Sequence, residues 1–295
     1  MTHHEDERHL YGEAVVIQPT TTLRKDKTNM KFGSLFAGIG GFDLGLERAG
    51  MECAWQVEID EFCTNVLTKH WPDVPKYGDI RNVGEENLET VGLICGGFPC
   101  QDISSAYHGK RAGLAGERSG LWFEFIRIID ELVPNWVIIE NVPALLKSND
   151  GRDFTAIIQR LAEYGYGVCW RILDSKYFGA ATSRKRLFIV AKFADVRGAG
   201  EVLFNAHEIC KILPEGKTKG DTLPMCVGWD GGLSYERLRQ CVATKINPTG
   251  AGASDGIPRQ LDKYRYRSLG NAVVPQVAEF IGRMILEVEN DTPRR

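Results

Sequence analysis

Short apolar runs alternate with amphipathic stretches along most of the chain, and this alternation restricts the fold more than any other feature of the sequence. Each run has the length and the β-branched or aromatic content of a buried strand. The predicted strands are Phe32–Phe36, Cys53–Val57, Val91–Cys95, Trp136–Ile139 and Leu187–Ala191. The predicted helices between them are Gly41–Ala49, Glu61–His70, Leu121–Leu132 and Phe154–Tyr164. Because such alternation builds βαβ units, we predict an α/β fold with a Rossmann-like, doubly wound, mostly parallel sheet.

The same pattern divides the 295 residues into four segments. Residues 1–30 show no periodicity and are predicted to form a flexible N-terminal extension, whereas residues 31–192 form the α/β domain. Residues 193–267 are rich in Gly, Pro and polar residues, which predicts a second, smaller and irregular domain. Apolar residues return at helical spacing over Val273–Val288. We therefore expect residues 268–295 to pack back on the first domain.

Charge and cysteine spacing exclude some classes of protein. The 36 Lys and Arg against 39 Asp and Glu give a net charge of −3, which argues against binding of nucleic acid by bulk charge. A locally basic cleft is still compatible, because five bases and no acid lie between Lys176 and Lys192. The eight cysteines show no Cys-x-x-Cys spacing, so we expect reduced thiols and no metal site. No apolar run approaches the ~20 residues of a membrane span, and we expect no membrane partner.

A glycine-rich turn, Phe36-Ala37-Gly38-Ile39-Gly40-Gly41, follows the first strand and opens the first helix. Glycines there allow a ligand close to the backbone, although many such turns are purely structural. Glu58 ends the next strand, about 20 residues on, where an acid can bind ribose hydroxyls. Asp79 follows in another turn. It could accept from an adenine amino group or could be a solvated turn residue.

Three further groups of polar residues lie at predicted strand ends. Cys100 follows Gly-Gly-Phe-Pro after the third strand, the edge where doubly wound folds bind ligands. Glu140 follows the fourth strand and could have a raised pKa suited to proton donation. Arg184 and Arg186 precede the fifth strand two residues apart, so both should face one side. The glycine-rich, basic segment 104–120 fits an active-site lid as well as a plain solvated loop.

Taken in order, these motifs resemble those of the DNA (cytosine-5)-methyltransferases, from Phe32 to about Met284. Six elements carry the resemblance, and their order along the chain is specific. They are the Phe36–Gly41 turn, the acids Glu58 and Asp79, Gly97-Phe98-Pro99-Cys100-Gln101, Glu140-Asn141-Val142, Arg184-x-Arg186 and Gly270-Asn271-Ala272-Val273. Two positions depart from the family pattern, since Thr182 stands where Gln is usual and Ile59 where Trp often follows the acid.

The resemblance implies a fold, a reaction and a set of site residues. It implies an S-adenosylmethionine-binding catalytic domain over residues 31–192 and a target-recognition domain over residues 193–267. The methyl group of S-adenosylmethionine would pass to C5 of a flipped cytosine in duplex DNA. Cys100 would attack C6, Glu140 would contact N3, Arg186 would contact O2, and Arg184 would support an electropositive pocket. The implied cofactor contacts are Phe36, Gly38, Gly40, Glu58, Asp79, Ile80, Pro99, Leu121 and Asn271. Gln101 and Ser104 are the implied DNA contacts.

Other readings of the motifs make different predictions. A tRNA cytosine-5 methyltransferase shares most of them, but that branch typically has Cys-Phe-Thr in its small domain and Pro-Pro before the catalytic Cys, and this chain has neither. A degenerate regulator would not need Cys100, Glu140 and both arginines. A nicotinamide-dependent oxidoreductase would explain the glycine turn alone. We therefore expect a cytoplasmic, prokaryotic or phage-encoded, monomeric DNA methyltransferase, with any cognate restriction endonuclease a partner in function only.

Overall fold

The strands in the described part of the chain form one sheet. The computed structural model describes residues 30–99, 121–204, 225–227, 268 and 270–291, and every statement of structure below concerns these residues. Eight strands lie in this part of the chain. They are β1 (Lys31–Leu35), β2 (Glu52–Val57), β3 (Lys76–Tyr77), β4 (Leu93–Gly96), β5 (Trp136–Asn141), β6 (Tyr166–Asp174), β7 (Lys185–Phe193) and β8 (Met225–Val227).

The sheet has the order β3-β2-β1-β4-β5-β7-β6-β8. The strands from β3 to β5 pair in parallel, with the chain crossing over between them. The pairs β5–β7, β7–β6 and β6–β8 are antiparallel. The predicted α/β class is therefore confirmed, and the sheet is mixed because β6 and β7 are joined by a loop too short for a crossover.

Helices cover both faces of the sheet. They are α1 (Gly41–Ala49), α2 (Glu61–His70), α3 (Leu121–Leu132), α4 (Arg152–Glu163), α5 (Val196–Phe204) and α6 (Pro275–Asp291). Buried residues of α3 and α4 share one apolar cluster with one face of the strands. Buried residues of α1, α5 and α6 share a second cluster with the other face. This two-sided cover is what the doubly wound pattern predicts.

Local signals in the sequence set the ends of the first helices. Gly40 and Gly50 flank α1 in the left-handed region at φ 86° and 104°, a conformation in which glycine carries no Cβ penalty. The amide of Gly50 donates to the carbonyl of Glu47 at 2.9 Å and so satisfies one of the last carbonyls of the helix. Asp60 caps α2, because its side chain accepts from the amide of Cys63 at 3.0 Å.

The region after β7 differs from the expected division of the chain. Helix α5 lies within residues 193–267, the range predicted for the second domain, yet its buried residues Ala199, Val202 and Leu203 belong to the cluster shared with α1 and α6. Helix α5 packs here because an amphipathic face buries its apolar side against the sheet. A second domain would have to begin after Phe204. Residues 1–29, 205–224 and 228–267 lie outside the described residues.

The cysteines also differ in part from expectation. Cys53, Cys63 and Cys95 are buried free thiols, as predicted. Cys169 is disulfide-bonded, so the expectation that every cysteine is reduced is wrong for this residue. The antiparallel register of β6 and β8 places Cys226 directly opposite Cys169.

Candidate active site

The predicted site residues meet at one edge of the sheet. Strands β1, β2, β4 and β5 are parallel, so Phe36, Glu58 and Gly97 leave the sheet at the same edge at which β5 ends in Glu140 and Asn141. Strand β7 runs the opposite way, with Leu187 opposite Asn141 in the register. Its first residues, including Arg186, therefore come to the same edge. Because β7 runs antiparallel to β5, the arginine segment at its start lies beside Glu140.

The glycine turn after β1 presents its backbone to a neighbouring carboxylate. The amide of Gly38 donates to Oε2 of Glu58 at 2.7 Å. Gly38 has a φ of 57°, and a Cβ added there would meet nothing within 4 Å. Phe36 also has a positive φ, 53°, and its ring stacks on Phe125 with 6.5 Å between centroids. Open space beside the backbone of Gly38 is the geometry that a close-lying ligand requires.

Gly40 has a different reason to be glycine. A Cβ at Gly40 would lie 2.5 Å from the ring of Trp71, and a Cβ at Gly41 would lie 2.3 Å from the carbonyl oxygen of Val273. Both glycines thus permit close packing. The contact with Val273 also brings the segment that carries Asn271 against the glycine turn. Asn271 itself is exposed to solvent.

Glu58 is held by backbone amides from two directions. Its Oε1 accepts from the amide of Asp60 at 2.8 Å, while Oε2 accepts from Gly38. Burial raises the pKa of Glu58, and these amide bonds act against the rise. A carboxylate so fixed keeps lone pairs for two neighbouring hydroxyl groups, the chemistry that a ribose offers.

Asp79 lies next to Glu58 at the same edge. Strand β3 brings it there, because the amide of Glu58 donates to the carbonyl of Tyr77 at 2.9 Å. The carboxylate of Asp79 accepts from the amide of Arg81 at 3.0 Å, and this bond lowers its pKa. Ile80 is 3% exposed and belongs to the core.

The strand that leads towards Cys100 ends beside Glu140. A Cβ at Gly97 would lie 3.0 Å from the carbonyl oxygen and 3.1 Å from Oε2 of Glu140. The side-chain amide of Asn141 donates to the carbonyl of Phe98 at 3.4 Å. The Phe98 ring is buried against Trp122 on α3, 5.4 Å between centroids. Pro99 and Leu121, which border residues 100–120 in the sequence, are half-buried.

Glu140 and Arg186 form a buried ion pair. Nε of Arg186 lies 3.0 Å from Oε1 of Glu140, and their side chains are 22% and 10% exposed. Burial raises the pKa of Glu140, and the charges of Arg186 and then Arg184 oppose the rise. Arg184 and Arg186 are both half-buried while Lys185 between them is exposed. The arrangement therefore combines a carboxyl that is able to take up a proton with two cations at the same point.

A serine that the motifs did not reveal holds the arginine segment. The hydroxyl of Ser175 donates to the carbonyl of Thr182 at 2.6 Å and accepts from the amide of Arg184 at 3.1 Å. The amide of Ser175 donates to the carbonyl of Arg184, also at 3.1 Å. Ser175 is 1% exposed. It extends the β6–β7 pairing by one residue, and a single Ser directly after a strand gives no sequence signal of that role.

A buried carboxyl supports the glycine turn from below. Asp43, on the first turn of α1, accepts from Nε2 of Gln56 at 2.8 Å and from the hydroxyl of Ser34 at 3.1 Å. It is fully buried, and burial raises its pKa. These bonds tie the start of α1 to β1 and β2. The glycine pattern of the sequence indicates the turn but not this support.

Comparison with known families agrees with the site geometry. A model of the C-5 cytosine-specific DNA methylases matches residues 30–215, more than half of the chain. The chain belongs to the C-5 cytosine-specific DNA methylase family. The match spans every element described above from β1 to α5, and the family resemblance drawn from the motifs is confirmed.

Relatives and a solved structure agree with this family. The chain is 37% identical over 166 residues to Type II methyltransferase M2.BsuMI of Bacillus subtilis, covering 55% of the chain and 42% of that protein. It is 33% identical over 168 residues to Type II methyltransferase M.HhaI of Haemophilus parahaemolyticus, covering 56% and 50%. The matched part thus spans half or less of each relative's length. The structure of Entamoeba histolytica methyltransferase EhMeth shares the fold at a TM-score of 0.57, with 15% identity over 88% of this chain and 99% of that one.

Some residues predicted for this methylase site lie outside the described residues. They are Cys100, Gln101, Ser104 and the rest of the predicted lid. Pro99 and Leu121 border that segment on either side, and Glu140 lies beside the strand that enters it. In the described ranges there is no group of three or more His, Cys, Asp or Glu side chains that could hold a metal ion. No helix in those ranges is long and apolar enough to cross a bilayer.

Proposed function

We propose that this chain is an S-adenosylmethionine-dependent DNA cytosine-5 methyltransferase. The observation that carries the proposal is the Glu140–Arg186 ion pair, which lies beside the strand leading to Cys100. C5 of cytosine is a weak nucleophile, so its methylation requires covalent activation of the ring. An acid and two cations meet at this sheet edge, and Cys100 follows shortly after β4 in the sequence; together they would supply the groups for that activation.

The Glu58–Gly38 turn is the proposed site of the cofactor. Its open space, the fixed Glu58 carboxylate and the acid Asp79 fit an adenosine moiety, with ribose hydroxyls at Glu58 and the adenine amino group at Asp79. Phe36, Pro99, Leu121 and Asn271 border the same region. When bound, S-adenosylmethionine supplies the electrophilic methyl group.

The residues of the chain would activate the cytosine ring by forming a temporary covalent bond to it. The Cys100 thiolate forms a bond to C6, and the charge that develops at N3 is met by a proton or hydrogen bond from Glu140. Arg186 contacts O2, and Arg184 raises the local positive potential that favours the thiolate. After C5 takes the methyl group, a base removes the C5 proton and the bond from Cys100 to C6 breaks. The thiolate is thereby regenerated.

Duplex DNA is the proposed substrate. Because C5 is inaccessible within the stacked duplex, the target cytosine would have to be flipped out of it. Residues after Phe204 would provide sequence recognition, and Gln101 and Ser104 would contact the DNA. We further propose that the protein acts as a monomer in the cytoplasm of a bacterial or phage-infected cell, where a restriction endonuclease could share its recognition sequence.

Methylation of purified nucleic acids tests this proposal. The full chain is incubated with tritiated S-adenosylmethionine and either duplex genomic DNA or total tRNA, and the digested nucleosides are separated. Labelled 5-methyl-2′-deoxycytidine from DNA is expected. Labelled 5-methylcytidine from tRNA alone would favour the RNA enzyme, and absence of label from both would refute the proposal.

A further inference from the structure

Arg127 on α3 binds the segment that carries Asp79. Its Nη2 donates to the carbonyls of Ile80 and Val83 at 3.0 and 2.9 Å. Two acids of the same helix fix the guanidinium, because Nε donates to Glu124 and Nη1 donates to Glu131, both at 2.8 Å. One side chain thus uses all three of its nitrogens to join α3 to the short helical turn after Asp79.

The contact is reinforced by the backbone that follows. The amide of Glu85 donates to Oε2 of Glu131 at 3.2 Å. A Cβ at Gly84 would lie 2.5 Å from that oxygen and 3.3 Å from Nη1 of Arg127. Gly84 therefore allows the segment to approach the Arg127–Glu131 pair closely. Only a planar guanidinium has the donors to satisfy two carboxylates and two carbonyls at once.

Helix α3 also reaches the other side of the proposed cofactor site. Its first residue is Leu121, and its Phe125 stacks on Phe36 beside the glycine turn. Arg127 is two residues after Phe125 and contacts the Asp79 side. The helix thereby spans the distance between the two walls that would hold the adenine ring.

We propose that Arg127 is a positioning residue for adenine recognition, which it serves by fixing the place of the Asp79 carboxylate. The inference rests on the proposed use of S-adenosylmethionine. Arg127 does not touch the ligand. It binds the carbonyl of the first residue of the Ile80–Asn82 turn and the carbonyl of Val83, which follows the turn, and Asp79 caps that turn. The Asp79 carboxylate is also held by the amide and Nε of Arg81 within the same turn. Loss of Arg127 should therefore displace the turn as a whole and move Asp79 away from the point at which it meets the adenine amino group.

Calorimetry of the full chain with the cofactor product and with its inosine analogue tests this role. S-adenosylhomocysteine has the 6-amino group, whereas S-inosylhomocysteine has an oxygen there. The wild-type chain should bind the adenine compound about tenfold or more tightly, as expected of a hydrogen bond to an ionised acceptor. Arg127→Lys keeps the positive charge but not the several donors of the guanidinium. In this variant the affinities for the two compounds should differ by less than about threefold.

Two control variants accompany Arg127→Lys. Asp79→Ala should lose the ratio completely, and Arg160→Lys, which alters an exposed pair with Glu163 on α4, should keep it. A merely structural role would weaken both compounds equally in Arg127→Lys and leave the ratio intact, which would overturn the inference. If the wild-type chain binds the two compounds equally, the role of Asp79 fails and the inference with it. If the chain binds neither, the proposed function itself is refuted.

Discussion

Replacement of Glu140 by Gln perturbs the reaction at one atom. The amide has the same shape and can still donate a hydrogen bond, but it cannot release a proton and it carries no charge. Glu140 is 8% exposed, so water does not screen the change. Because a positioned general acid contributes roughly 10²–10⁴ in rate, kcat should fall by a factor in that range, about 2.7–5.4 kcal/mol. Duplex DNA affinity should change less than about threefold.

The pH dependence gives a second measure of the same carboxyl. Burial raises the pKa of Glu140, so its protonated form persists to higher pH than that of an ordinary Glu. If this form is the active one, kcat of the wild-type enzyme declines as pH rises through that pKa. The Gln variant cannot titrate, and its rate should lack this decline.

The assay measures single-turnover methyl transfer together with DNA binding, from pH 5 to 9. Glu163→Gln is the matched control, because it removes one negative charge from an exposed pair with Arg160 and should leave both quantities unchanged. The Gln variant leaves Arg186 without the opposite charge that lies 3.0 Å away in the wild type, which lowers stability, so thermal melting must show the variant folded. Equal losses in kcat and DNA affinity, or an unchanged decline with pH, would refute the acid role.

Two further predictions concern buried supports of the site. Because the folded-state pKa of Asp43 is raised, its contribution to stability is present below the unfolded-state pKa and is lost as pH rises through the folded-state value. Between about pH 4 and neutral pH, this loss lowers the melting temperature of the wild type, and in Asp43→Asn the lowering should be smaller. A melting temperature that falls equally in both proteins would contradict this. Ser175→Ala removes both hydroxyl bonds to the arginine segment and should lower kcat about tenfold while Ser175→Thr keeps most of it. A parallel loss of cofactor affinity in Ser175→Ala would contradict the local role.

The periodicity of the sequence predicts five of the eight described strands, β1, β2, β4, β5 and β7, but not β3, β6 or β8. Strand β6 was missed because it follows α4 after only two residues and is buried through most of its length, so it shows no alternation. Strand β3 has two residues, too few for any pattern. The sequence places α5 in the second domain, because the glycines of this helix are typical of a loop.

The motifs identify the residues of the site, but they do not predict the contacts between those residues. The ion pair of Arg186 with Glu140 depends on β7 running antiparallel to β5, and pairing direction is a long-range property that local sequence does not contain. Gly40 shows the converse, since its lack of a side chain is explained by the Trp71 ring. Arg127 acts through carbonyls more than 40 residues away in the chain, a contact that no local spacing encodes.

Bisulfite sequencing of DNA from cells that express the chain tests the central claim most directly. The account predicts 5-methylcytosine at a defined sequence with the wild-type chain and none with Cys100→Ala, while calorimetry shows that the variant still binds S-adenosylhomocysteine. Methylation that persists in Cys100→Ala, or no 5-methylcytosine with a folded, cofactor-binding wild-type chain, would contradict it.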